Sequence, residues 1–315
     1  MTKPNKNQWA KGIHKQVVSQ RQFMWHPETI ELLAKWLGFK QGQTVVDVGC
    51  GLGYLGMTYW PYFGKHGTYI GVDLSPALVK QAARQSKQWA VRGKAFFKAG
   101  DAYRLPLPDN CADMVMCQTL MIHLGDPMRA LAEMMRVAKP GGTVCCMESD
   151  LLSMTLAQGY NTLHPKSVNE ILFLHKFHLL TMRGRAKLGL GDYNIGPKLP
   201  AMMSSLGLTD IDARNTNKVN VMIPPYETAE QQHNYRFDLE MHTTSDWDKR
   251  YRIGMKEYKK HILAGGGTIK DYQRYANLTS KQSRGFKTQR TQLINGTYAE
   301  FSPRIFYVIK GRKPL

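Results

Sequence analysis

The chain contains 315 residues, of which 43% are apolar and 21% charged, a composition typical of a folded globular protein rather than a disordered one. No apolar run approaches the roughly 20 residues of a membrane-spanning helix, and residues 1–22 lack the apolar centre of a secretory signal. The five cysteines include no C-x-x-C pair, which argues against a disulfide framework or a structural zinc site. We therefore expect a cytoplasmic protein.

The net charge of +19 is distributed unevenly along the chain. Residues 41–150 contain 11 basic and 9 acidic residues, whereas residues 1–40 contain 7 and 2, and residues 151–315 contain 25 and 13. A basic protein of this kind is a candidate for binding nucleic acid or other anions. Because the central segment is almost neutral, we expect two parts of the chain with different partners.

The first half of the chain alternates between predicted strands and helices. Short apolar runs predict strands at Thr44–Val48, Thr68–Val72, Ala95–Ala99, Asp113–Gln118 and Thr143–Glu148. Apolar residues at helical spacing predict helices at Pro27–Leu37, from a glycine-rich turn to Phe63, at Pro76–Arg92 and at Pro127–Ala138. Pro140-Gly141-Gly142 predicts a break before the fifth strand. This alternation favours a parallel sheet with helices on both faces.

Beyond Asp150 the regular alternation is lost. Helical spacing predicts helices at Pro165–Met182, Lys198–Leu206, Glu227–Arg236, Trp247–Ile262, Ile269–Ala276 and Ser280–Leu293. Further strands are predicted at Leu208–Ala213, Lys218–Ile223 and Arg304–Ile309. The sequence therefore predicts a largely helical elaboration after the alternating part.

A glycine-rich turn follows the first predicted strand. Gly49, Gly51 and Gly53 would let the backbone approach a ligand closely, beside the free N–H groups that begin the next helix. Gly51 to Gly56 also fits the G-x-G-x-x-G pattern of dinucleotide sites. Asp73, at the end of the second strand, is placed to bind both hydroxyls of a ribose. NAD and S-adenosylmethionine (SAM) each carry such a ribose.

Two acidic residues favour SAM over NAD. Asp47 lies within the end of the first strand, where a negative charge suits a sulfonium and an ammonium group but not a pyrophosphate. Asp101 follows the third strand, where a carboxylate can accept a hydrogen bond from an adenine amino group. The expected cofactor is therefore SAM, with S-adenosylhomocysteine as its product.

Five segments, taken together and in this order, carry a family resemblance: VVDVGCGLG, GVDLS, GDAYRLPLPDN, ADMVMCQTLMIHLGDP and RVAKPGGTV. Residues 25–150 resemble class I SAM-dependent methyltransferases, most of all the small-molecule branch with ubiquinone/menaquinone C-methyltransferase-like and phosphoethanolamine-methyltransferase-like enzymes. The resemblance implies an α/β fold with a Rossmann-like, doubly wound, seven-stranded sheet and an antiparallel last strand. Leu208–Ala213, optionally extended by Lys218–Ile223, and Arg304–Ile309 would supply the last two strands.

With this resemblance the chain is predicted to have five parts. These are an N-terminal helical cap (residues 1–40), a SAM-binding core (41–150), the rest of the core with an elaboration (151–223), a basic helical lid (224–300) and a last core strand (301–315). The lid is interpreted as an insertion because its length far exceeds that of an ordinary connection. We expect it to cover the acceptor.

The resemblance also implies which residues bind the cofactor. The methionine part of SAM would lie against Asp47, Gly49, Gly51, Gly53 and Gln118. The ribose and adenine would lie against Asp73, Leu74, Asp101 and Ala102. All nine residues follow or end predicted parallel strands, whose carboxyl ends meet at one edge of the sheet.

A base is needed for methyl transfer only when the acceptor must lose a proton. His123, five residues after the fourth strand, lies in a run similar to the Ile-Leu-His-Leu of phosphoethanolamine methyltransferases, whose histidine is functional. It is the candidate catalytic residue, and the alternative is a structural role beneath the SAM-binding loop. His175 and His178 have metal-ligand spacing on a helix, but no third ligand is apparent and no metal site is predicted.

The residues from Lys249 to Arg290 include 12 basic and two acidic ones, with aromatic residues between them. One interpretation of this stretch is a solvated helical face that binds no ligand. The others are a surface that binds an anionic small substrate, nucleic acid or an anionic membrane. The Asn/Asp-Pro-Pro-Tyr/Phe motif of nucleic-acid amino-methylating enzymes is replaced by Gln118-Thr-Leu-Met. We predict methyl transfer to a small-molecule acceptor with an anionic preference. The alternatives are an RNA methyltransferase and a SAM-binding protein without catalytic activity.

Overall fold

The computed structural model describes residues 23–89, 93–153, 167–216, 218–241 and 246–315. The chain divides into two compact units. The sheet unit comprises Met1–Asp150, Asn194–Asn217 and Phe306–Leu315, and the helical unit comprises Leu151–Tyr193 and Lys218–Ile305. These two segments overlap the predicted elaboration within residues 151–223 and the predicted lid at 224–300.

Seven strands form the sheet of the sheet unit. They are β1 (Thr44–Val48), β2 (Thr68–Asp73), β3 (Lys94–Ala99), β4 (Ala112–Gln118), β5 (Ala138–Ser149), β6 (Thr209–Asn215) and β9 (Phe306–Arg312). Their spatial order is β3-β2-β1-β4-β5-β9-β6. β1 to β5 pair in parallel, and β9 is antiparallel to both of its neighbours. This sheet confirms the predicted Rossmann-like fold with an antiparallel last strand.

The helices of the sheet unit begin and end where the sequence signals them. They are α1 (Pro27–Leu37), α2 (Tyr54–Phe63), α3 (Pro76–Gln85), α4 (Pro127–Val137) and α6 (Leu199–Ser205). α1 has Pro27 in its first turn and ends at Gly38, whose φ of +80° is a left-handed conformation. The Ser75 and Asp126 side chains accept backbone N–H bonds at the starts of α3 and α4.

The centre of the sheet is packed on both faces. Val45, Val46 and Val48 of β1 are at most 1% exposed, and burial of each such side chain stabilises the fold by about 1.5–3 kcal/mol. Gly56 of α2 lies against β2, because a Cβ atom there would come within 2.4 Å of the Tyr69 ring. The absence of a side chain thus lets α2 approach the sheet closely, which fixes the turn that precedes this helix.

β5 begins earlier than the sequence predicts. The strand starts at Ala138, and the expected break at Pro140-Gly141-Gly142 is an irregularity within it: pairing with β4 passes from Ala138 directly to Thr143, and Gly141 has a left-handed φ of +72°. The Gly141 N–H donates to the Lys313 carbonyl (2.9 Å), and the Lys313 N–H donates to the Gly142 carbonyl (3.0 Å). A backbone partner that is distant in sequence therefore ties this irregular segment to the end of the chain.

The predicted last two strands, Leu208–Ala213 and Arg304–Ile309, correspond to β6 and β9. The β6–β9 ladder ends where the Thr216 N–H donates to the Phe306 carbonyl (2.9 Å) and the Phe306 N–H donates to Thr216 Oγ1 (3.1 Å). Because these bonds close the ladder, β6 does not continue into the segment that follows.

The predicted extension of this strand by Lys218–Ile223 is therefore wrong. The segment forms β7 (Lys218–Met222), which pairs antiparallel with β8 (Glu300–Arg304) in a separate two-stranded sheet. This small sheet belongs to the helical unit. Periodicity alone identified a strand here, but the partner of a strand depends on the tertiary fold.

The rest of the helical unit consists of long helices. They are α5 (Val168–Lys187), α7 (Ala229–Met241), α8 (Asp246–Ala264) and α9 (Ile269–Ile294). α9 is one helix of 26 residues where the sequence predicts two, and Thr268 begins it with a capping box to Asp271. Phe177, Leu180 and Ile262 form a buried cluster among α5 and α8. No helix in the described ranges is both long and apolar enough to cross a membrane.

Candidate functional site

The carboxyl ends of β2, β1 and β4 lie side by side, because these strands are neighbours and parallel. Asp73 ends β2, Asp47 is the penultimate residue of β1, and Gln118 ends β4. The glycine-rich turn leaves the same edge, after β1. The sheet therefore brings these sequence-predicted residues together at one edge, as parallel α/β sheets do at their ligand sites.

The glycine-rich turn, residues 49–53, has a left-handed backbone conformation and borders open space. Gly49, Gly51 and Gly53 have φ values of +72°, +53° and +78°, a left-handed region that residues with a side chain rarely adopt. The Gly49 N–H donates to the Val72 carbonyl (2.7 Å), which ties the turn to β2. A Cβ atom on Gly51 would have no atom within 4 Å, so this turn borders open space. We call residues 49–53 the glycine cradle, because a ligand in this space would lie against their backbone.

Asp73 connects the cradle to the start of α3. Its Oδ2 accepts a hydrogen bond from the Gly51 N–H (2.9 Å), and its Oδ1 accepts one from the Ser75 N–H (2.8 Å). Each carboxylate oxygen retains a lone pair that can accept a further bond. Leu74, the next residue, is 47% exposed beside it. Asp73 thus has a fixed orientation and free acceptor capacity.

Asp47 is a buried acid beneath this edge of the sheet. It is 1% exposed, and its Oδ2 accepts a hydrogen bond from the Tyr69 hydroxyl (2.7 Å). Burial, and next the Asp47 charge, raise the pKa of Tyr69 well above its usual value, so Tyr69 remains a donor. Burial, followed by Asp47 and Asp73, likewise raises the pKa of the Cys50 thiol. Cys50 is therefore a protonated thiol and not a nucleophile.

Gln118 offers a buried acceptor at the end of β4. The residue is 3% exposed, and its Nε2 donates to the Met24 sulfur at 3.1 Å. Its Oε1 is buried and has no hydrogen-bond partner among the described residues. A buried amide oxygen in this state requires a donor that a bound ligand or water supplies.

Asp101 and Ala102 lie in the turn after β3. Asp101 is exposed, and its Oδ1 accepts a hydrogen bond from the Tyr103 N–H (2.9 Å). The Gly100 N–H donates to the Asp73 carbonyl (2.9 Å), which joins this turn to the end of β2. The turn therefore adjoins the edge that carries the cradle.

His123 ends a short 3₁₀ turn, Met121–His123, shortly after β4. Glu148 of β5 anchors this turn: its Oε1 accepts hydrogen bonds from the Leu120 N–H (3.0 Å) and the Met121 N–H (2.8 Å). Glu148 is fully buried. Glu148 was not among the residues predicted from the sequence, although a lone acid that ends an apolar strand is a usable signal for it.

The two histidines with metal-ligand spacing lie on α5, in the helical unit. Burial, and next His175, lower the pKa of His178 to about 4, so its imidazole is neutral at pH 7. Within the described ranges no group of three or more histidine, cysteine or acidic side chains is arranged to hold a metal ion.

The residues at the edge of the sheet fit SAM. The open Gly51 backbone leaves room for a ligand, and the buried Gln118 Oε1 requires a donor such as the ammonium group of SAM. The Asp47 charge complements a cationic ligand, and Asp73 can accept bonds from ribose hydroxyls. The same Asp47 charge would repel a pyrophosphate.

A family model described as a methyltransferase domain matches residues 46–146. An uncharacterized methyltransferase of Schizosaccharomyces pombe is 35% identical over 150 residues, which cover 46% of this chain and 51% of that protein. The demethylmenaquinone methyltransferase of Symbiobacterium thermophilum is 32% identical over 135 residues, 42% of this chain and 52% of that protein. The match thus spans about half the length of these curated relatives.

Solved structures share the fold at low sequence identity. A Haloferax volcanii methyltransferase in complex with the Trm112 methyltransferase activator has a TM-score of 0.52 at 17% identity, with 100% of both chains covered. Phosphoethanolamine N-methyltransferase 2 of Haemonchus contortus, with S-adenosylhomocysteine, has a TM-score of 0.50 at 15% identity, covering 100% of this chain and 62% of that one. With the family match and the sheet order, residues 46–146 belong to a class I SAM-dependent methyltransferase domain.

Proposed function

We propose that the whole protein is a SAM-dependent methyltransferase that transfers a methyl group to a small-molecule acceptor, with a preference for an anionic one. The carrying observation is the open glycine cradle beside Asp47, Asp73 and the orphaned Gln118 Oε1. These acceptors suit a ligand with a cationic head and a ribose. They do not suit a pyrophosphate, which a buried carboxylate would repel.

Each predicted contact has a chemical role. Gln118 Oε1 and Asp47 would hold the ammonium group, and the backbone of Gly49, Gly51 and Gly53 would line the methionine part. Asp73 and Asp101 would accept hydrogen bonds from the ribose and the adenine amino group, beside Leu74 and Ala102. Bound SAM supplies a methyl group on a sulfonium that already activates the carbon for displacement. The protein's main contribution would be positioning, which is the largest part of such catalysis.

His123 is the proposed base for an acceptor that must lose a proton. Its turn is anchored by two hydrogen bonds to Glu148, so the imidazole would be presented from a fixed backbone. A base of this type contributes typically 10²–10⁴-fold to a rate. If the acceptor needs no deprotonation, His123 would serve only to support the turn.

Two observations support a small acceptor, and a third supports an anionic one. The name of the Symbiobacterium thermophilum relative describes methylation of demethylmenaquinone, a small molecule. Gln118-Thr-Leu-Met stands where nucleic-acid amino-methylating enzymes carry a proline motif. Residues 151–315 hold 25 basic and 13 acidic residues, so an anionic ligand would meet a favourable field there.

The proposal is tested by ligand-dependent unfolding. S-adenosylhomocysteine is expected to raise the unfolding temperature of the full chain, because a ligand of the folded state alone stabilises it. NAD at the same concentration is the matched control and is expected to leave that temperature unchanged. Stabilisation by NAD and not by S-adenosylhomocysteine would contradict the proposal. Tight S-adenosylhomocysteine binding without methyl transfer to any acceptor class would favour a non-catalytic SAM-binding protein.

The second candidate function is an RNA methyltransferase, and the positive charge of one segment favours it. Lys249 to Arg290 contains 12 basic and two acidic residues with interleaved aromatics. RNA affinity that falls steeply with salt would support this candidate, since each neutralised phosphate releases counterions. A weak RNA affinity with a shallow salt dependence would support the small-molecule acceptor.

A further inference from the structure

α5 and α8 cross at very close range inside the helical unit. A Cβ atom on Gly184 of α5 would lie 1.7 Å from the carbonyl oxygen of His261 of α8, so only glycine permits this approach. One turn away, a Cβ atom on Gly265 would lie 2.0 Å from the Leu180 carbonyl oxygen. The crossing therefore places residues beside Gly184 next to the His261 backbone.

Polar groups at this crossing are buried without partners. His261 is 6% exposed, and neither ring nitrogen has a hydrogen-bond partner among the described residues. The same holds for the hydroxyl of Thr181, also 6% exposed, and for the buried Nε of Arg185. Thr181 precedes Gly184 by three residues and shares its helix face, and Arg185 follows Gly184 directly.

Arg185 is a cation that no acid neutralises within the described ranges. Its Nη2 donates to the Leu190 carbonyl (2.7 Å), and its guanidinium lies 4.0 Å above the Tyr193 ring. These contacts hold the guanidinium in place without satisfying its buried Nε–H. A half-buried charge in this state costs free energy that a bound anion would offset.

The surroundings of His261 favour its neutral form. Burial, and next the Arg185 charge, lower the pKa of His261 below its usual value. The neutral imidazole offers one donor and one acceptor. The crossing thus presents the Arg185 Nε–H, a Thr181 hydroxyl and an imidazole N–H, all of which can donate to oxygen.

We propose that the α5–α8 crossing is a binding site for an oxyanion, a carboxylate or phosphate group of a small molecule, held by Arg185, His261 and Thr181. Charge-assisted bonds from arginine to such groups are the strong, planar contacts that this geometry favours. The Tyr193 ring, whose centroid lies 4.0 Å from the central guanidinium carbon of Arg185, packs against this group.

This inference rests on the proposed function in one respect: the oxyanion is taken to be part of the methyl acceptor. Binding itself is measured on the full chain without SAM. Hydrogen exchange of backbone amides tests the two proposals separately. Slower exchange in α5 and α8 would indicate oxyanion binding, and slower exchange in the glycine-rich turn would indicate cofactor binding. A phosphate effect without a S-adenosylhomocysteine effect would retain the oxyanion site and overturn the proposed function.

The experiment titrates inorganic phosphate and, in a second arm, acetate at constant ionic strength maintained with chloride. We expect one of them to slow exchange in α5 and α8 and not in the strands of the sheet unit. Arg185→Met is expected to raise the half-saturating concentration at least tenfold. Arg183→Met, an exposed arginine of the same helix, is the matched control and should retain the wild-type value. A phosphate response assigns a phosphate ligand, and an acetate response a carboxylate.

A second variant keeps the test decisive if Arg185→Met does not fold. Arg185→Lys retains the charge but lacks the planar guanidinium, and it is expected to weaken the response about fivefold. No slowing of exchange in the wild-type protein would overturn the inference and leave the crossing occupied by water. Equal losses in the variants of Arg183 and Arg185 would also overturn it, because they would indicate unspecific attraction to a basic helix.

Discussion

The sheet unit and the helical unit differ in how their buried polar side chains are held. In the sheet unit the carboxylates of Asp47, Asp73 and Glu148 accept hydrogen bonds, most of them from backbone N–H groups at the strand ends. In the helical unit, Thr181 and His261 keep buried polar atoms without a partner among the described residues. Gln118 Oε1 in the sheet unit is likewise unpartnered, so the difference lies in the strand-end carboxylates, which protein donors fix before a ligand arrives.

This difference indicates two kinds of binding. A site whose side chains are held by the surrounding backbone is preorganised, so ligand binding there costs little ordering. Polar groups without protein partners are completed by a ligand or by water. Under the proposed function, the fixed carboxylates of the sheet unit would serve the cofactor, and the unpartnered groups of the helical unit would serve the acceptor.

Removal of the imidazole at position 123 is expected to produce the largest effect. His123→Ala should lower turnover by about 10²–10⁴-fold, the usual contribution of a general base. Its affinity for S-adenosylhomocysteine, measured by calorimetry, should stay within about twofold, because the two backbone hydrogen bonds to Glu148 that anchor the turn remain. His66→Asn, at an exposed loop position with φ of +60°, is the control. Unaltered turnover would remove His123 as the base.

Loss of the Asp73 carboxylate tests whether the fixed carboxylates of the sheet unit bind the cofactor. Asp73→Ala removes two bonds to backbone N–H groups as well as the predicted ribose contacts. We expect affinity for S-adenosylhomocysteine to fall about 100-fold, equivalent to about 3 kcal/mol. Asp109→Ala is the control, since that side chain is 67% exposed and pairs with Arg136. An unchanged affinity would contradict the assigned site.

Closing the space at the helix crossing should have a smaller effect, on stability. Gly184→Ala places a methyl group 1.7 Å from the His261 carbonyl oxygen, so the helices must separate. The free energy of unfolding is expected to fall by about 2–3 kcal/mol, as in overpacked cores. Urea denaturation followed by circular dichroism measures this change.

Gly254→Ala in α8 is the matched control for this substitution. The nearest atom to a Cβ there is 4.0 Å away, so the methyl group meets no obstacle. We expect a gain of about 0.5–1 kcal/mol from the better helix propensity of alanine. If both variants gave the same small change, the close crossing of α5 and α8 would be refuted.

Several features followed directly from the sequence. The alternation of short apolar runs and helical periodicity predicted the parallel strands β1 to β5, and Pro27 and Gly38 marked the ends of α1. The glycines after β1 and the acid at the end of β2 were also predicted to meet at one edge of the sheet, and they do. These are local signals, because backbone conformation and strand burial depend on residues that are near in sequence.

The tertiary structure alone decided the partners of these elements. Lys218–Met222 is recognisable as a strand, but its pairing with Glu300–Arg304 rather than with the large sheet depends on a segment far along the chain. Glu148 became an anchor of the turn before His123 only because β4 and β5 are neighbours. Likewise Arg185 and His261 are ordinary polar residues until Gly184 lets their helices meet. Hydrogen bonds and packing between distant segments, which no local pattern encodes, determined these sites.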